Sequence, residues 1–234
     1  MIISKYVEEI YQRQTEEFLA SDAFGRLERG EASREDYDRF IGNIFRTHQN
    51  SPQFLAFLYS VSPPSAQERV AHNLLEELGI EEEDGASHPE LLTALIEGAG
   101  LGDRVAGLQH AAQEAMREVV CEPFLSGSLR EVGLAAMAEI FSFEHMLAHT
   151  STRIADMLAT QRGLDESALT WFRHHSEVDI AHAQEALLTI DETVEYYEYD
   201  IEEARDVIDL TLRENVFIKR YFDPKALPEA RSLA

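Results

Sequence analysis

SLREVGLAAMAEIFSFEHMLAHTSTRIADMLATQRG, residues 128–163, is the longest helical pattern in the chain. Ser128 followed three positions later by Glu131 is the S-x-x-E signature of a capped helix start, and Gly163 supplies the stop. Between them Met137, Phe141, Glu144 and Ala148 recur at spacings of four, three and four, which keeps them on one helix face. That face is apolar except for Glu144. A buried carboxylate is costly without a partner, so Glu144 calls for a cation, either a metal ion or an arginine. Glu139 is the competing acid, offset from this face.

Working outward, every other segment also reads as helix. Ser4 is placed to cap a helix to Ala20, and Ser33 with Asp36 opens a segment to Val61 that Pro52 interrupts or kinks. Ser65 with Glu68 is a second S-x-x-E box, and its helix stops at Gly79. The stretch IEEEDGASHP is a loop, followed by shorter helices over Pro89–Ala99 and Asp103–Cys121. Downstream, Asp165 caps the helix that holds TWFRHHSEVDIAHAQEALLTI. Asp200 with Glu203 begins the last one, which runs through Tyr221 and is closed by Pro224. No segment alternates with period two long enough to argue a strand. The expectation is an all-α chain of seven or eight helices, residues 1–234 forming a single domain.

Composition narrows the partners. With 20 Lys+Arg against 44 Asp+Glu the formal net charge is −24, which repels nucleic acid and anionic membranes. No apolar run approaches the roughly 18 residues that cross a bilayer. The N-terminus has neither the basic start nor the apolar middle of a signal peptide. The lone Cys121 makes no internal disulfide. These features point to a cytoplasmic protein whose partner is a small molecule.

The histidines carry more information. In His175-Ser-Glu-Val-Asp179-Ile-Ala-His182, a helical advance of about 100° per residue puts His175, Asp179 and His182 within a stripe about 60° wide. Imidazole, carboxylate and imidazole on one face form a ligand set for Fe, Mn or Zn. The plainer explanation is a solvated polar stripe, against which stand the apolar neighbours Ile180 and Ala181. A third cluster joins Glu77, two residues before Gly79, to His88 beyond the acidic loop. Periodicity alone reads Glu76 and Glu77 as surface acids and His88 as a loop residue. Together Glu77, His88, Glu144, His175, Asp179 and His182 offer six O/N ligands, a number that suits two divalent irons with positions left open. Ferritin-like di-iron bundles use two E-x-x-H motifs, and this sequence contains none.

In this order the six residues resemble those of the heme-oxygenase-like di-iron oxidases and oxygenases, related in fold to the TenA and PqqC proteins. The match comprises Glu77 before Gly79, His88, Glu144 in the long helix and the H-x3-D-x2-H of His175, Asp179 and His182. The run from Leu158 and Gly163 to TWFRHH is also similar. The resemblance spans residues 65–190. It implies a bundle of about seven helices with all six residues as metal ligands, and catalytic roles for Glu77, Glu144, His175, Asp179 and His182. The implied cofactors are two Fe(II)/Fe(III) ions, with manganese as the alternative metal and O2 as co-substrate. The implied reaction is oxidation or cleavage of an amino acid, amine or fatty acid in specialised metabolism. An external electron donor and a homodimeric assembly complete the expectation.

Four other readings stand beside it. A TenA-like thiamin hydrolase needs a cysteine nucleophile, and Cys121 is the sole candidate. A PqqC-like cofactor-free oxidase does not need the full ligand set. A non-catalytic metal-binding protein on the same bundle would be marked by loss of a ligand, and none is lost. Heme ligation would fall to His48 or another helix-borne histidine.

Overall fold

The computed structural model describes residues 3–80, 85–117, 128–214, 217–225 and 227–228, the side chains of 177–181, 214 and 217 excepted. Cys121 and the side chain of Asp179 lie outside this description. Among the described residues the regular structure is helical throughout: α1 Ile3–Ala20, α2 Asp22–Glu28, α3 Arg34–His48, α4 Ser51–Val61, α5 Gln67–Glu77, α6 His88–Gly98, α7 Val105–Met116, α8 Leu129–Arg162, α9 Glu166–Tyr196, α10 Ile201–Glu214 and α11 Phe217–Tyr221. A 3-10 turn, Gly102–Arg104, leads into α7.

The all-α expectation holds, but the helices exceed the expected seven or so. The extra ones come from breaks that hydrophobic periodicity does not register. Ser21 ends α1 and starts α2 within one residue, its Oγ accepting from the Phe24 amide at 3.2 Å. Pro52 does not kink a long helix. It sits in the first turn of α4, where its missing N–H costs nothing, and α3 has already ended at His48. Ser65 does not cap α5, whose N-cap is Ala66. The Ser65 hydroxyl instead donates to Glu192 at 3.1 Å. Ser4 lies inside α1 rather than at its cap, and its amide donates to Asp191 Oδ1 at 2.8 Å.

The deciding stretch folds as read. The amide of Ser128 donates to Glu131 Oε2 at 3.0 Å and the Glu131 amide donates back to the serine hydroxyl at 3.3 Å. Caps of this kind contribute about 1 kcal/mol. Gly163 closes α8 in the left-handed region at φ 67°. Asp165 then caps α9, accepting from the Ala168 amide at 3.0 Å. The resulting pair α8–α9 is the most extensively packed in the molecule. Around it α6 lies on α9, α10 on α8, and α1 against both.

Two apolar clusters fill the interior. One gathers Phe18, Phe24, Phe40, Phe45, Trp171, Phe172 and Tyr221. The other gathers Val7, Leu58, Met137, Phe141, Ala186, Ile190 and Ile208. Both α8 and α9 run through the two clusters. On α8 the passage from Phe141 to Phe143 leads to Glu144, and on α9 the stretch between Phe172 and Ala186 carries His175 and His182. A polar layer thus lies between two hydrophobic ones.

Candidate metal centre

Three elements meet in that layer. Glu77 is the last residue of α5, His88 the first of α6, and His175 lies two turns into α9. Gly79 makes the meeting of the first two feasible. It sits at φ 71°, and a Cβ there would come within 2.7 Å of the Ala86 backbone. Gly79 lies against Ala86, which brings the end of α5 close to the start of α6.

The three side chains offer ligand atoms that all lie within 4.8 Å of one another. His88 Nδ1 is 3.0 Å from Glu77 Oε1, and the rings of His88 and His175 are 4.7 Å apart. His175 Nδ1 lies 2.7 Å from the carbonyl oxygen of Trp171. A carbonyl only accepts, so Nδ1 carries the proton and Nε2 presents its lone pair. Burial pushes His175 well below its ordinary 6.5, with the neighbouring His88 adding to the shift, so this ring is neutral. Burial alone would raise the Glu77 carboxyl. His88 and Ser51, whose hydroxyl donates at 2.5 Å, outweigh it and hold the group below its ordinary 4.5.

An anionic carboxylate and an imidazole with its tautomer fixed, joined by a second imidazole, are the donors a first-row divalent ion takes. The spacing fits too. Two donors about 2.1 Å from one ion at right angles stand about 3.0 Å apart, matching the separation of His88 Nδ1 and Glu77 Oε1.

Of the other expected residues, Glu144 and His182 do not join this group, and the side chain of Asp179 lies outside the described residues. His182 Nε2 is 2.7 Å from Oε2 of Glu76, and Glu76 Oε1 is 3.6 Å from His72 Nε2. Glu144 is half-buried on α8 and accepts from Asn73 Nδ2 at 2.7 Å. Glu76, which periodicity assigned to the surface, therefore points into the bundle. Asn73, Glu76 and Glu77 sit at i, i+3 and i+4 on α5, a spacing that puts all three on one side of the helix. Glu139 proves to be the more deeply buried acid of α8, 7% exposed, and it takes the arginine. Arg220 Nη2 donates to its Oε1 at 2.7 Å. His48 is buried with Nε2 2.7 Å from the Tyr221 hydroxyl, and burial pushes it down to about 3. The nitrogen that heme ligation would use is already engaged there.

A cleft opens beside the first group, walled by Phe54, Phe143, Arg46, His48, Ser51 and Arg220. Ser51 belongs both to this wall and to the Glu77 hydrogen bond. Among the described residues no helix is long and apolar enough to cross a membrane.

A search of curated proteins gives no match. A family model described as iron-containing redox enzyme matches residues 38–213, well over half of the chain and spanning all six expected ligands, and the protein belongs to that family.

Proposed function

We propose that the protein is a non-heme di-iron oxidase or oxygenase that uses O2 to oxidise or cleave a small organic substrate of the amino acid, amine or fatty acid class. The observation that carries this reading is the buried Glu77–His88–His175 group in a chain of the iron-containing redox family. In this reading one iron is held by those three residues. The second belongs to Glu144, Asp179 and His182, with manganese as the alternative metal. Bound iron supplies the electrons that O2 accepts, and an external donor restores them.

The rest is the work of the chain. The Trp171 carbonyl fixes the His175 tautomer, and the Ser51 hydroxyl orients the Glu77 carboxylate. Trp171, packed 4.3 Å from the His175 ring, keeps water from that side. The wall of the cleft beside Ser51 combines the rings of Phe54 and Phe143 with the polar groups of Arg46 and Arg220. That mixture suits a substrate with an apolar body and a polar end.

Anaerobic loading with Fe(II) followed by exposure to O2 tests the proposal. The expected result is a transient visible absorption band and O2 uptake, both lost in Glu144→Ala and His182→Ala. A loaded protein that consumes no O2 and shows no band would overturn it.

A further inference from the structure

We propose that the cleft beside Ser51 takes a carboxylate with an apolar body, the carboxylate being held by Arg46. The inference rests on the di-iron reading above, in which this cleft is the substrate site, and narrows the substrate class of that site.

Charge points to it. With 44 Asp+Glu against 20 Lys+Arg, the chain as a whole repels anions. Two arginines, Arg46 and Arg220, nevertheless stand in the wall of one cleft, and among the described residues Glu139 is the only acid beside them. The two arginines are engaged differently. Arg220 is turned onto Glu139, Nη2 to Oε1 at 2.7 Å, and that carboxylate side chain is only 9% exposed. Arg46 is paired through Nη2 with Asp223 Oδ2 at 2.7 Å, and Asp223 is not part of the cleft wall. A guanidinium carries five N–H donors in a planar fork, so Arg46 can take a second carboxylate beside Asp223. Its position is fixed in advance. Asn43 Nδ2 donates to the carbonyls of Tyr221 and Asp223 at 3.1 and 3.0 Å, which anchors the segment that holds Arg46.

The remaining wall selects the body and rejects other head groups. Phe54, Ala115, Met116, Ile140 and Phe143 give it an apolar lining, and Ser51 joins it to Glu77. An ammonium head would face two guanidinium groups and find Glu139 already paired. An alcohol would leave the charge of Arg46 unused.

Calorimetric titration of the full chain, kept free of metal so that iron cannot itself take the carboxylate, tests the proposal. The probes are hexanoate, octanoate and decanoate, with the amine and the alcohol of each length. We expect the carboxylates to bind and the matching amines to bind at least ~10-fold more weakly. Arg46→Gln should weaken carboxylate binding about 10- to 100-fold, the loss of a charge-assisted hydrogen bond, and leave alcohol binding unchanged. Asp223→Asn breaks the same ion pair but keeps the guanidinium, and is expected to keep the carboxylate. Thermal midpoints check the fold of both variants. Amines that bind as tightly as the carboxylates, an Arg46→Gln that binds them like the wild type, an equal loss in Asp223→Asn, or no binding of any carboxylate would each overturn the inference. None of these outcomes touches the di-iron reading, because no iron takes part. A loaded protein that consumes no O2 would overturn that reading whatever binds in the cleft.

Discussion

Glu139 and Glu77 each bring a carboxylate into the bundle, and the two regions deal with its charge in opposite ways. Glu139, on α8, meets the guanidinium of Arg220 at 2.7 Å. An arginine carries a permanent charge and donors of its own, so that region is complete as it stands. Glu77 is met instead by the Ser51 hydroxyl and by the imidazoles of His88 and His175, the latter kept neutral by burial. A neutral ring such as that of His175 does not cancel a carboxylate's charge, and its Nε2 keeps a lone pair for a cation. The comparison teaches that depth of burial does not mark a metal site. Glu139 is the deeper acid of α8, and it is the identity of the partners that separates a structural ion pair from a group suited to a cation.

The largest expected effect comes from removing the charge at Glu77. Glu77→Gln should weaken iron binding at that group more than ~100-fold, beyond the loss typical of groups that only support a ligand, as read by anaerobic titration. Arg220→Ala should leave that iron in place and act on stability. It strands Glu139 in the bundle and should cost about 3 kcal/mol in urea denaturation, at the low end for a broken buried pair because Arg220 is itself about a quarter exposed. Replacing both partners, Arg220→Met with Glu139→Leu, should restore most of it. If Arg220→Ala released iron instead, the two regions would not be independent.

Gly79→Ala should cost about 1–2 kcal/mol from the left-handed conformation, and somewhat more from the contact with the Ala86 backbone. Since the same turn sets His88 against Glu77, iron affinity should fall with it. A variant that is destabilised yet binds iron as before would show that the turn does not position the group.

The smallest effect is a pH slope. Burial raises the Glu139 carboxyl above its ordinary 4.5, against the opposing pull of Arg220. The native state therefore holds this proton more firmly than the unfolded chain. The contribution of Glu139 to stability is fully present below the unfolded value and is lost as pH rises through the folded one. Glu139→Gln cannot ionise, so the stability of the wild type relative to this variant should decline as pH rises above 4.5 in urea midpoints. A difference independent of pH would contradict the assignment.

How much of this was legible in the sequence depended on how local the signal was. The α8 boundaries were readable because Ser128, Glu131 and Gly163 act within one turn of the helix ends. Ser65 with Glu68 carries the same signature and fails, because the Ser65 hydroxyl is taken by Glu192, a partner 127 residues away. The same distance effect governs the acids. The sequence admits an arginine as the partner of Glu144, but Arg220 arrives from 81 residues downstream and lands on Glu139. Periodicity put Glu139 off the apolar face without showing that another helix covers it there. Glu76 and Glu77 are indistinguishable in the sequence, two acids at a helix end before a glycine. Only the packing of α5 against α9 reveals that Glu76 faces His182.

The central claim, that Glu77, His88 and His175 hold iron, is tested most directly by anomalous scattering at the iron edge from an anaerobically iron-loaded crystal. The account predicts a peak about 2.0–2.3 Å from one donor atom of each of the three residues, the range of first-row ions, with a second peak beside His182. A loaded crystal with no peak among Glu77, His88 and His175, or with iron only elsewhere on the molecule, would contradict it.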